Sequence, residues 1–251
     1  MSDDQPKHSP LYEAHVSAGA TMAVEEGWEM PARYGDARAE AAAARSSAAL
    51  ADVTHWGRIR IRGDGSGGLL ARLCGPEVQA QEDDTVRPCV LRKADGAAVA
   101  ARLLRLEDYW LVLTSPKDRL AVLELLFATA QSCEAASGGS SGGSNGGSVR
   151  VDDQTGKTAM LAVLGPRAPA CLDAFLPIKV GGIADGSAKS GSVVVAKYVA
   201  LRSDLGDLWR MEVVLPNMLA AAAWRFITQK AGDNALVPIG TEAMEMLGGE
   251  G

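Results

Sequence analysis

The chain has 251 residues, 47% of them hydrophobic and 22% charged, with a formal net charge of −6. This length fits one large domain or two small ones, and the composition is ordinary for a soluble globular protein. The acidic balance argues against nucleic acid or an anionic membrane as a partner. No apolar run reaches membrane-spanning length, and the acidic opening MSDDQPKHSP is unlike a targeting peptide. The sequence therefore predicts a cytoplasmic protein.

The residues that usually bind metals form no recognisable ligand pattern. The four cysteines are too scattered for a CxxC motif, and none of the three histidines pairs with a cysteine at ligand spacing. The acidic pairs Asp83-Asp84 and Asp152-Asp153 lack a third ligand at metal spacing. We therefore expect no metal site. We expect reduced, mostly buried thiols at Cys74, Cys89, Cys133 and Cys171.

The first quarter of the chain is predicted to contain two helices and a strand. Residues 1–9 are polar and should be flexible, and a Ser-Pro pair then opens a helical pattern over residues 9–22. The alanine-rich segment 36–52 has the composition of a second helix. Residues 57–63, GRIRIRG, alternate between apolar and charged as a strand does.

The alternation in GRIRIRG sends two isoleucines and three arginines to opposite faces of that strand. The core side holds Ile59 and Ile61, and the outer side holds Arg58, Arg60 and Arg62. A solvated sheet face is the simpler interpretation of the arginines, and a phosphate or carboxylate site is the alternative. The next segment, residues 65–68, is rich in glycine but lacks the lysine of a phosphate loop, so it is interpreted as a turn.

Residues 86–114 predict three strands in succession, 86–93, 99–106 and 109–114. Residues 115–118, Ser-Pro-Lys-Asp, then open a helix, because proline suits its first turn and aspartate suits the positive end of its dipole. One apolar stripe of that helix is formed by Leu120, Leu123, Leu126 and Phe127.

Residues 136–148, ASGGSSGGSNGGS, are almost entirely glycine and serine and should form a flexible loop. The chain after this loop is similar to the part before it, which also has strands, a helix after them and a similar length. The predicted elements are a strand at 158–166, a helix at 167–176, strands at 192–201 and 208–216, and a helix at 217–232. The sequence therefore predicts an α+β protein built from two related sheet-and-helix halves.

Three consecutive motifs carry a family resemblance. They are Leu11-Tyr12-x-x-His15, Gly27-Trp28-Glu29-Met30-Pro31 and Asp52-Val53-Thr54-His55. In this order and spacing they resemble the T-protein of the glycine cleavage system, the folate-dependent aminomethyltransferase family. The resemblance implies that residues 10–251 form one aminomethyltransferase-type folate-binding domain, with tetrahydrofolate as its small-molecule ligand. The resemblance also implies that the barrel domain that ends the family's proteins would begin where this sequence stops, so we expect it to be missing.

Two related families share the fold that this resemblance implies. The iron–sulfur assembly folate-binding proteins carry a cysteine motif that would lie beyond residue 251. Dimethylsulfoniopropionate demethylase uses the same folate site for a different reaction. The T-protein motifs above favour the aminomethyltransferase family over both.

The resemblance also implies where a folate site would lie, and it implies that acidic and arginine side chains of that site are absent here. The family's Gly-Gly-x-x-Asp-Asp run corresponds to residues 96–101, where Ala100 and Ala101 occupy both acid positions. A folate-contacting arginine corresponds to Gly248. A methyl group cannot relay a proton, so no catalytic residue is assigned. The candidate folate-binding residues that remain are Thr54, Thr114, Asp207 and Trp209.

Two of these candidates have competing interpretations. Asp207 would replace, one carbon shorter, the glutamate of a family loop. Trp209 would stack on the pterin ring, although core packing is the default role of a tryptophan. Asp52 and His55 are interpreted as satisfied polar side chains in a turn between elements, and a hydrogen-bonded pair is the alternative.

Two functions are compatible with this pattern. The first is a tetrahydrofolate-binding protein of one-carbon metabolism with degenerate catalytic residues. The second is a non-catalytic subunit or scaffold of a larger assembly, which would need a protein partner.

Overall fold

The computed structural model describes residues 5–92, 96–137, 148–193, 196–230 and 236–248. The chain divides into two compact units. We call residues 1–55 and 156–250 the split unit and residues 56–155 the inserted unit. Both units combine antiparallel strands with helices, as the α+β prediction required.

The elements follow one another along the chain as two series. The strands are β1 Lys7–His8, β2 Thr21–Glu25, β3 Trp28–Arg33, β4 Ala48–Asp52, β5 Gly57–Arg62, β6 Thr85–Arg92, β7 Ala98–Leu106, β8 Tyr109–Thr114, β9 Arg150–Asp153, β10 Thr158–Leu164, β11 Ser187–Val193, β12 Ala196–Arg202, β13 Arg210–Pro216 and β14 Leu236–Ile239. The α-helices are α1 Tyr12–Ser17, α2 Ala37–Ser46, α3 Ser66–Cys74, α4 Arg119–Ser137, α5 Ala168–Asp173, α6 Asn217–Lys230 and α7 Thr241–Met246. Short 3₁₀ helices lie at Pro76–Ala80 and Val180–Gly182.

The strands of the split unit form a small sheet in the order β1-β3-β2 and a larger run in the order β14-β4-β10-β13-β12-β11. The inserted unit contains the order β6-β7-β8-β5-β9. Within these runs only β1–β3 and β14–β4 pair in parallel. The other pairs described in both units are antiparallel.

The prediction of two related halves is confirmed by the order of elements. The inserted unit runs β5, α3, a 3₁₀ helix, β6, β7, β8 and α4. The split unit repeats this order as β10, α5, a 3₁₀ helix, β11, β12, β13 and α6. The pairing repeats as well, because β6-β7-β8-β5 in one unit corresponds to β11-β12-β13-β10 in the other.

A glycine at the same place in each repeat joins the first strand to the first helix. Gly63 and Gly165 both have φ of +107°, a backbone conformation that L side chains rarely adopt. A Cβ at Gly165 would overlap the carbonyl oxygens of Ala44 and Ser47. The turn into the helix therefore requires glycine in both repeats.

Each unit has its own apolar core on the face that its helices cover. Leu161, Val213 and Trp224 are among the buried residues of the split-unit core. In the inserted unit, Ile59 and Val112 pack against α3 and α4 residues such as Leu126. The prediction that the strand-facing isoleucines of GRIRIRG lie in a core is therefore confirmed.

The alanine-rich segment shows where helix propensity is overridden. A helix over 36–52 was expected, but α2 ends at Ser46 and residues 48–52 form strand β4. All five residues of β4 are buried, and the strand pairs with β10 on one side and β14 on the other. Small side chains fit between two closely packed layers, so tertiary packing decides the conformation. The expected helix 9–22 is likewise shorter, since α1 ends at Ser17 and β2 begins at Thr21.

Several smaller expectations also change. Within the segment expected to be flexible, Lys7–His8 form β1 and Ser9 is buried, while residues 1–4 lie outside the described residues. The glycine-rich turn at 65–68 contains the start of α3. On α4, Leu126 is buried but Leu120 and Phe127 are exposed. The loop expected at 136–148 lies, from 138 to 147, outside the described residues.

The expectation of a solvated arginine face is wrong for Arg58. Its side chain is fully buried, and its guanidinium donates to the carbonyls of Trp56 at 2.7 Å and Thr155 at 2.8 Å. Arg60 is half-buried and pairs with Asp152 at 2.7 Å. These arginines therefore hold the end of the inserted unit's sheet together.

Candidate functional site

The inserted unit brings two positions of the implied folate site into direct register. Thr114, the last residue of β8, lies opposite Ala101 on β7 and opposite Gly57 on β5. Residues directly opposite one another in an antiparallel sheet share a face, with Cβ atoms about 5 Å apart. The acid position at Ala101 and the polar position at Thr114 therefore point to the same side of the sheet.

The hydroxyl of Thr114 is buried without a hydrogen bond. The residue is 2% exposed, and Oγ1 has no partner within the described part of the chain. The other branch, Cγ2, lies over Gly57 and occupies the space that a Cβ there would need. An unsatisfied buried hydroxyl costs about 1–3 kcal/mol, so this oxygen has an unused capacity for a hydrogen bond.

The polar side chains around Thr114 have partners, which sets its hydroxyl apart. Ser115 Oγ donates to Asp118 Oδ2 at 2.7 Å. Arg119 Nη1 donates to Asp153 Oδ2 at 2.7 Å. Thr155 Oγ1 accepts from the backbone N–H of Arg58 at 3.0 Å. The cluster is ordered by these bonds before any ligand enters it.

Ala101 supplies only a methyl group at the acid position. It is 4% exposed and packs in the core of the inserted unit. Its neighbour Ala100 is exposed on the opposite face of β7, across from Val90. Neither side chain can hold or move a proton, and no described carboxylate replaces them on β7.

Thr54, the candidate in the split unit, has a structural role. It is 1% exposed, and its Oγ1 accepts from the N–H of Met160 on β10 at 3.2 Å. Its own N–H donates to Asp52 Oδ1 at 2.9 Å. Thr54 therefore connects the end of β4 to β10.

Asp52 is the centre of a buried hydrogen-bond network. Its Oδ2 accepts from Ser9 Oγ and lies 2.9 Å from His15 Nε2. The other ring nitrogen of His15 lies 2.6 Å from the hydroxyl of Tyr34. His15 is fully buried, with the ring of Trp224 edge-on at 4.8 Å. The network ties the N-terminal segment to β4.

The ionisation of this network follows from its partners. Burial raises the pKa of Asp52, but hydrogen bonds from His15 and Ser9 outweigh it and hold the pKa below its usual value. Burial and the charges of Asp52 and Glu40 raise the pKa of Tyr34. Asp52 Oδ2 is therefore a hydrogen-bond acceptor, and the protonated hydroxyl of Tyr34 bonds the other ring nitrogen of His15. Ser9 bonds the acid rather than the imidazole, which is not the arrangement of an activated nucleophile.

Asp52 and His55 do not form a pair. His55 is 1% exposed and lies 3.2 Å from Glu25 Oε1, whereas Asp52 is engaged by His15. Burial raises the pKa of Glu25, but contact with His55 outweighs it and lowers the pKa. Asp52 agrees with the interpretation as a satisfied polar side chain. For His55 that interpretation is wrong in part, because its buried Nδ1 has no hydrogen-bond partner among the described residues.

The remaining two candidates lie on the connection between β12 and β13. Asp207 is exposed at the tip of a turn in which Leu205 and Leu208 bond one another. Trp209 is half-buried against the split-unit core, with the guanidinium of Arg202 5.6 Å from its ring centre. One face of the indole is therefore already covered.

Asp204, which the sequence analysis did not select, organises this connection. Arg202 donates to both of its carboxylate oxygens, at 3.0 and 2.7 Å. The N–H of Arg210 donates to the same carboxylate at 3.1 Å. The sequence signal that could have indicated Asp204 is its spacing, two residues after Arg202 and five residues before Trp209.

The candidates of the split unit do not meet. Thr54 bonds Met160, while Trp209 accepts a hydrogen bond from Gly165 at the other end of β10. Five residues of strand at about 3.3 Å each separate these contacts by roughly 17 Å. Gly248, the position of the lost arginine, is exposed after α7 with φ of +83°.

Two further observations concern metal-binding side chains and membrane-spanning helices. Among the residues that the structure describes, no group of three or more His, Cys, Asp or Glu side chains is arranged to hold a metal ion. Within the same residues, no helix combines the length and the apolar character needed to cross a membrane.

The two α+β units, with the same order of strands and helices, define the class of fold. Residues 11–251 match the family described as the GCVT N-terminal domain, and the chain belongs to this family. The family predicted from the three N-terminal motifs is thereby confirmed.

Curated relatives and solved structures agree with this assignment. The chain is 27% identical over 249 residues to an aminomethyltransferase of Streptomyces avermitilis, covering 98% of this chain and 63% of the relative. An aminomethyltransferase of Desulfitobacterium hafniense (DCB-2) is 27% identical over 241 residues, covering 96% of this chain and 63% of the relative. The chain thus spans a little under two thirds of the length of these relatives.

The fold matches two crystal structures. Glycine cleavage system aminomethyltransferase T from Bartonella henselae has a TM-score of 0.80 at 23% identity, over 96% of this chain and 61% of that chain. A chain of the heterotetrameric sarcosine oxidase from Corynebacterium sp. U-96, in complex with pyrrole 2-carboxylate, has a TM-score of 0.54 at 15% identity, over 90% of this chain and 95% of that one. At these identities the matches show the fold alone.

Proposed function

We propose that this protein is a cytoplasmic tetrahydrofolate-binding protein of one-carbon metabolism that transfers aminomethyl groups slowly or not at all. The observation that carries the proposal is the buried, unpartnered hydroxyl of Thr114 in register with Ala101. Membership in the aminomethyltransferase family indicates a reduced folate as the ligand class. The methyl group of Ala101 explains why binding and catalysis would separate, since a folate can contact Thr114 without a carboxylate at position 101.

The other candidates have subordinate roles in this proposal. Trp209 offers the ring face that Arg202 leaves uncovered, and a pterin could stack there. Asp207 is exposed and would reach a polar group of the ligand. Thr54 would act indirectly by holding the end of β4 against Met160.

The proposal is tested by calorimetric titration with tetrahydrofolate and with 5-methyltetrahydrofolate, using wild-type protein and Thr114→Val. Valine keeps the shape of threonine and removes only the hydroxyl. We expect measurable binding by the wild type and a Kd about 5–10-fold higher for the variant, the equivalent of one neutral hydrogen bond. The variant should also be as stable as the wild type, or more stable by about 1 kcal/mol, because it removes an unsatisfied group.

Thr155→Val is the matched control in the same unit. Its hydroxyl is equally buried but accepts the Arg58 N–H, so its loss should lower the free energy of unfolding by about 1–3 kcal/mol. The absence of heat and of thermal stabilisation with both folates would overturn the proposal. Equal folate affinity in wild type and Thr114→Val would show that Thr114 is not the contact.

A second candidate function is a non-catalytic subunit of a larger assembly. The match to a heterotetrameric sarcosine oxidase covers 95% of that chain, so the fold occurs at this length inside a multi-subunit protein. In this case the purified protein would show no folate affinity. Cross-linking in an extract of the cells that produce it would join it to one partner protein in a fixed stoichiometry. Folate binding by the isolated chain would favour the first proposal.

A further inference from the structure

Two half-buried cysteines of the inserted unit face one cavity that the folate proposal does not use. Cys74 is the last residue of α3 and Cys89 lies in the middle of β6. Both thiols are free and line a cavity of about 280 Å³. They hydrogen-bond each other, and both pack on the edge of the inserted unit's core.

We propose that Cys74 and Cys89 form a redox modification site that a small disulfide such as oxidised glutathione converts into an intramolecular disulfide. The site is distinct in residues from the folate site proposed above. The two cysteines are too far apart in sequence to form a CxxC motif, so the sequence pattern alone does not indicate this site. The thiols already touch, so closing the bond requires a local movement rather than unfolding of the unit.

The two sulfurs are not equivalent, which sets the order of reaction. The hydrogen bond from Cys89 lowers the pKa of the Cys74 thiol, against burial and the charge of Glu77. The same hydrogen bond, together with burial, raises the pKa of Cys89. Cys74 is therefore the attacking thiolate and Cys89 the resolving thiol.

The charges at the cavity suit an anionic disulfide. Arg87 and Arg92 are exposed and line the same cavity as the two thiols. Glutathione carries carboxylates, which these guanidinium groups attract. The carboxylate of Glu77 lies over Gly75 on the Cys74 side and opposes this attraction.

The reaction is a pair of thiol–disulfide exchanges. The Cys74 thiolate attacks one sulfur of oxidised glutathione, forming a mixed disulfide and releasing one glutathione thiolate. Cys89 then loses its proton to solvent and attacks Cys74 Sγ, which releases the second glutathione. The two protein sulfurs are oxidised by two electrons, and one oxidised glutathione is reduced to two thiols.

The test uses the full chain with oxidised glutathione, followed by intact-mass measurement and peptide mapping. The wild type should lose two hydrogens and yield a peptide pair linked through Cys74 and Cys89. Cys89→Ser should stop at one glutathionyl group on Cys74. Cys74→Ser should form no intramolecular disulfide and should react more slowly at Cys89, because burial still raises the pKa of that thiol.

Cys133→Ser is the matched control, because Cys133 lies on α4 and does not line this cavity. It should still lose two hydrogens at the wild-type rate. Mapping of the unmutated protein keeps the test valid even if a serine variant folds poorly. A linked pair that involves Cys133 or Cys171, stable glutathionylation of the wild type, or no reaction would overturn the proposal. Folate titration of the oxidised and reduced wild type is read separately, so failure of either proposal leaves the other standing.

Discussion

Asp52 is 2% exposed and is stabilised as a carboxylate by the groups around it. Its three partners come from two separate segments: Ser9 and His15 near the N-terminus, and Thr54 in the turn that follows. A buried charge is costly unless several hydrogen bonds compensate for its lost hydration. Asp52 therefore acts on stability, and its partner is His15 rather than its sequence neighbour His55.

We predict that Asp52→Asn lowers the free energy of unfolding by about 3 kcal/mol, because two hydrogen bonds to a charged acceptor are weakened. Urea unfolding at pH 7 measures this loss. Asp207→Asn, at an exposed turn, is the control and should change stability by less than about 0.5 kcal/mol. A loss below about 1 kcal/mol for Asp52→Asn would contradict the prediction.

The pH dependence of the same pair checks the ionisation. The pKa of Asp52 is lower in the folded protein than its unfolded value of about 3.9, so its contribution is present above that value. This contribution is lost as pH falls through the folded pKa. The stability difference between wild type and Asp52→Asn should therefore shrink below about pH 4, and a difference that stays constant there would show that Asp52 is not ionised.

At the scale of elements, the small sheet β1-β3-β2 shows how a recognised motif becomes structure. Trp28 opens β3 and is 5% exposed, with Lys7 Nζ 5.8 Å from the centre of its ring. Met30, two residues on, is fully buried. The GWEMP motif is therefore a packing motif, in which alternate residues of one strand enter the core.

We predict that Trp28→Ala lowers the free energy of unfolding by about 3–5 kcal/mol, the usual cost of removing a large buried ring. Denaturant titration followed by circular dichroism measures it. Met218→Ala is a control of opposite exposure, because Met218 is 86% exposed, and it should stay within about 0.5 kcal/mol of wild type. A small effect at Trp28 would mean that β3 detaches without loss of the core.

The strand-to-helix turn of each repeat is a second element-scale feature. Gly165 combines φ of +107° with carbonyls where a Cβ would lie, so Gly165→Ala should destabilise the protein by more than about 2 kcal/mol. Gly67→Ala is the control, because Gly67 lies in the first turn of α3 with open space around it. That change should stabilise the protein by about 0.5–1 kcal/mol. Thermal unfolding of both variants gives the signs, and equal signs would contradict the argument.

At the scale of the whole molecule, the repeated order of strands and helices explains why two weakly similar halves of one sequence reach the same topology. In both units the strand before the first helix pairs with the last strand of the following meander. The family assignment covers nearly the whole chain, whereas the acid at position 101 is absent. The family assignment therefore rests on the whole chain, whereas the effect of alanine at position 101 on activity is a proposal.

We predict no measurable, or very slow, methylene transfer from an aminomethyl carrier protein to tetrahydrofolate. Positioned acid–base groups typically contribute about 10²–10⁴ in rate, and Ala101 cannot supply one. The measurement is a coupled glycine-cleavage assay with the protein as the only transferase. Ala101→Asp tests for a gain of activity, and Ala98→Asp places the same charge at an exposed site of β7 as its control. Rapid turnover by the wild type would contradict the prediction and make Asp207 the next residue to change.

The local sequence pattern was sufficient to predict those elements whose conformation depends mainly on neighbouring residues. The alternation in residues 57–63, the strands within 99–114, the Ser-Pro-Lys-Asp helix start and the presence of two related halves were predictable. Helix α3 was not predicted, and the strand predicted at 192–201 covers the end of β11 and most of β12. Periodicity reports which face of an element is apolar, and that information is local. The three N-terminal motifs likewise determined the family without any structure.

Contacts between distant residues were decided only by the tertiary structure. The alanines of β4 have high helix propensity but form a strand, because β4 pairs with β10 on one side and β14 on the other. Arg58 can be buried because its guanidinium donates to the carbonyls of Trp56 and Thr155. Thr114 meets Ala101 through strand register, and Cys74 meets Cys89 through the packing of α3 on β6. Burial and partner choice depend on which segments the fold brings together, and the chemistry of these residues follows from their partners.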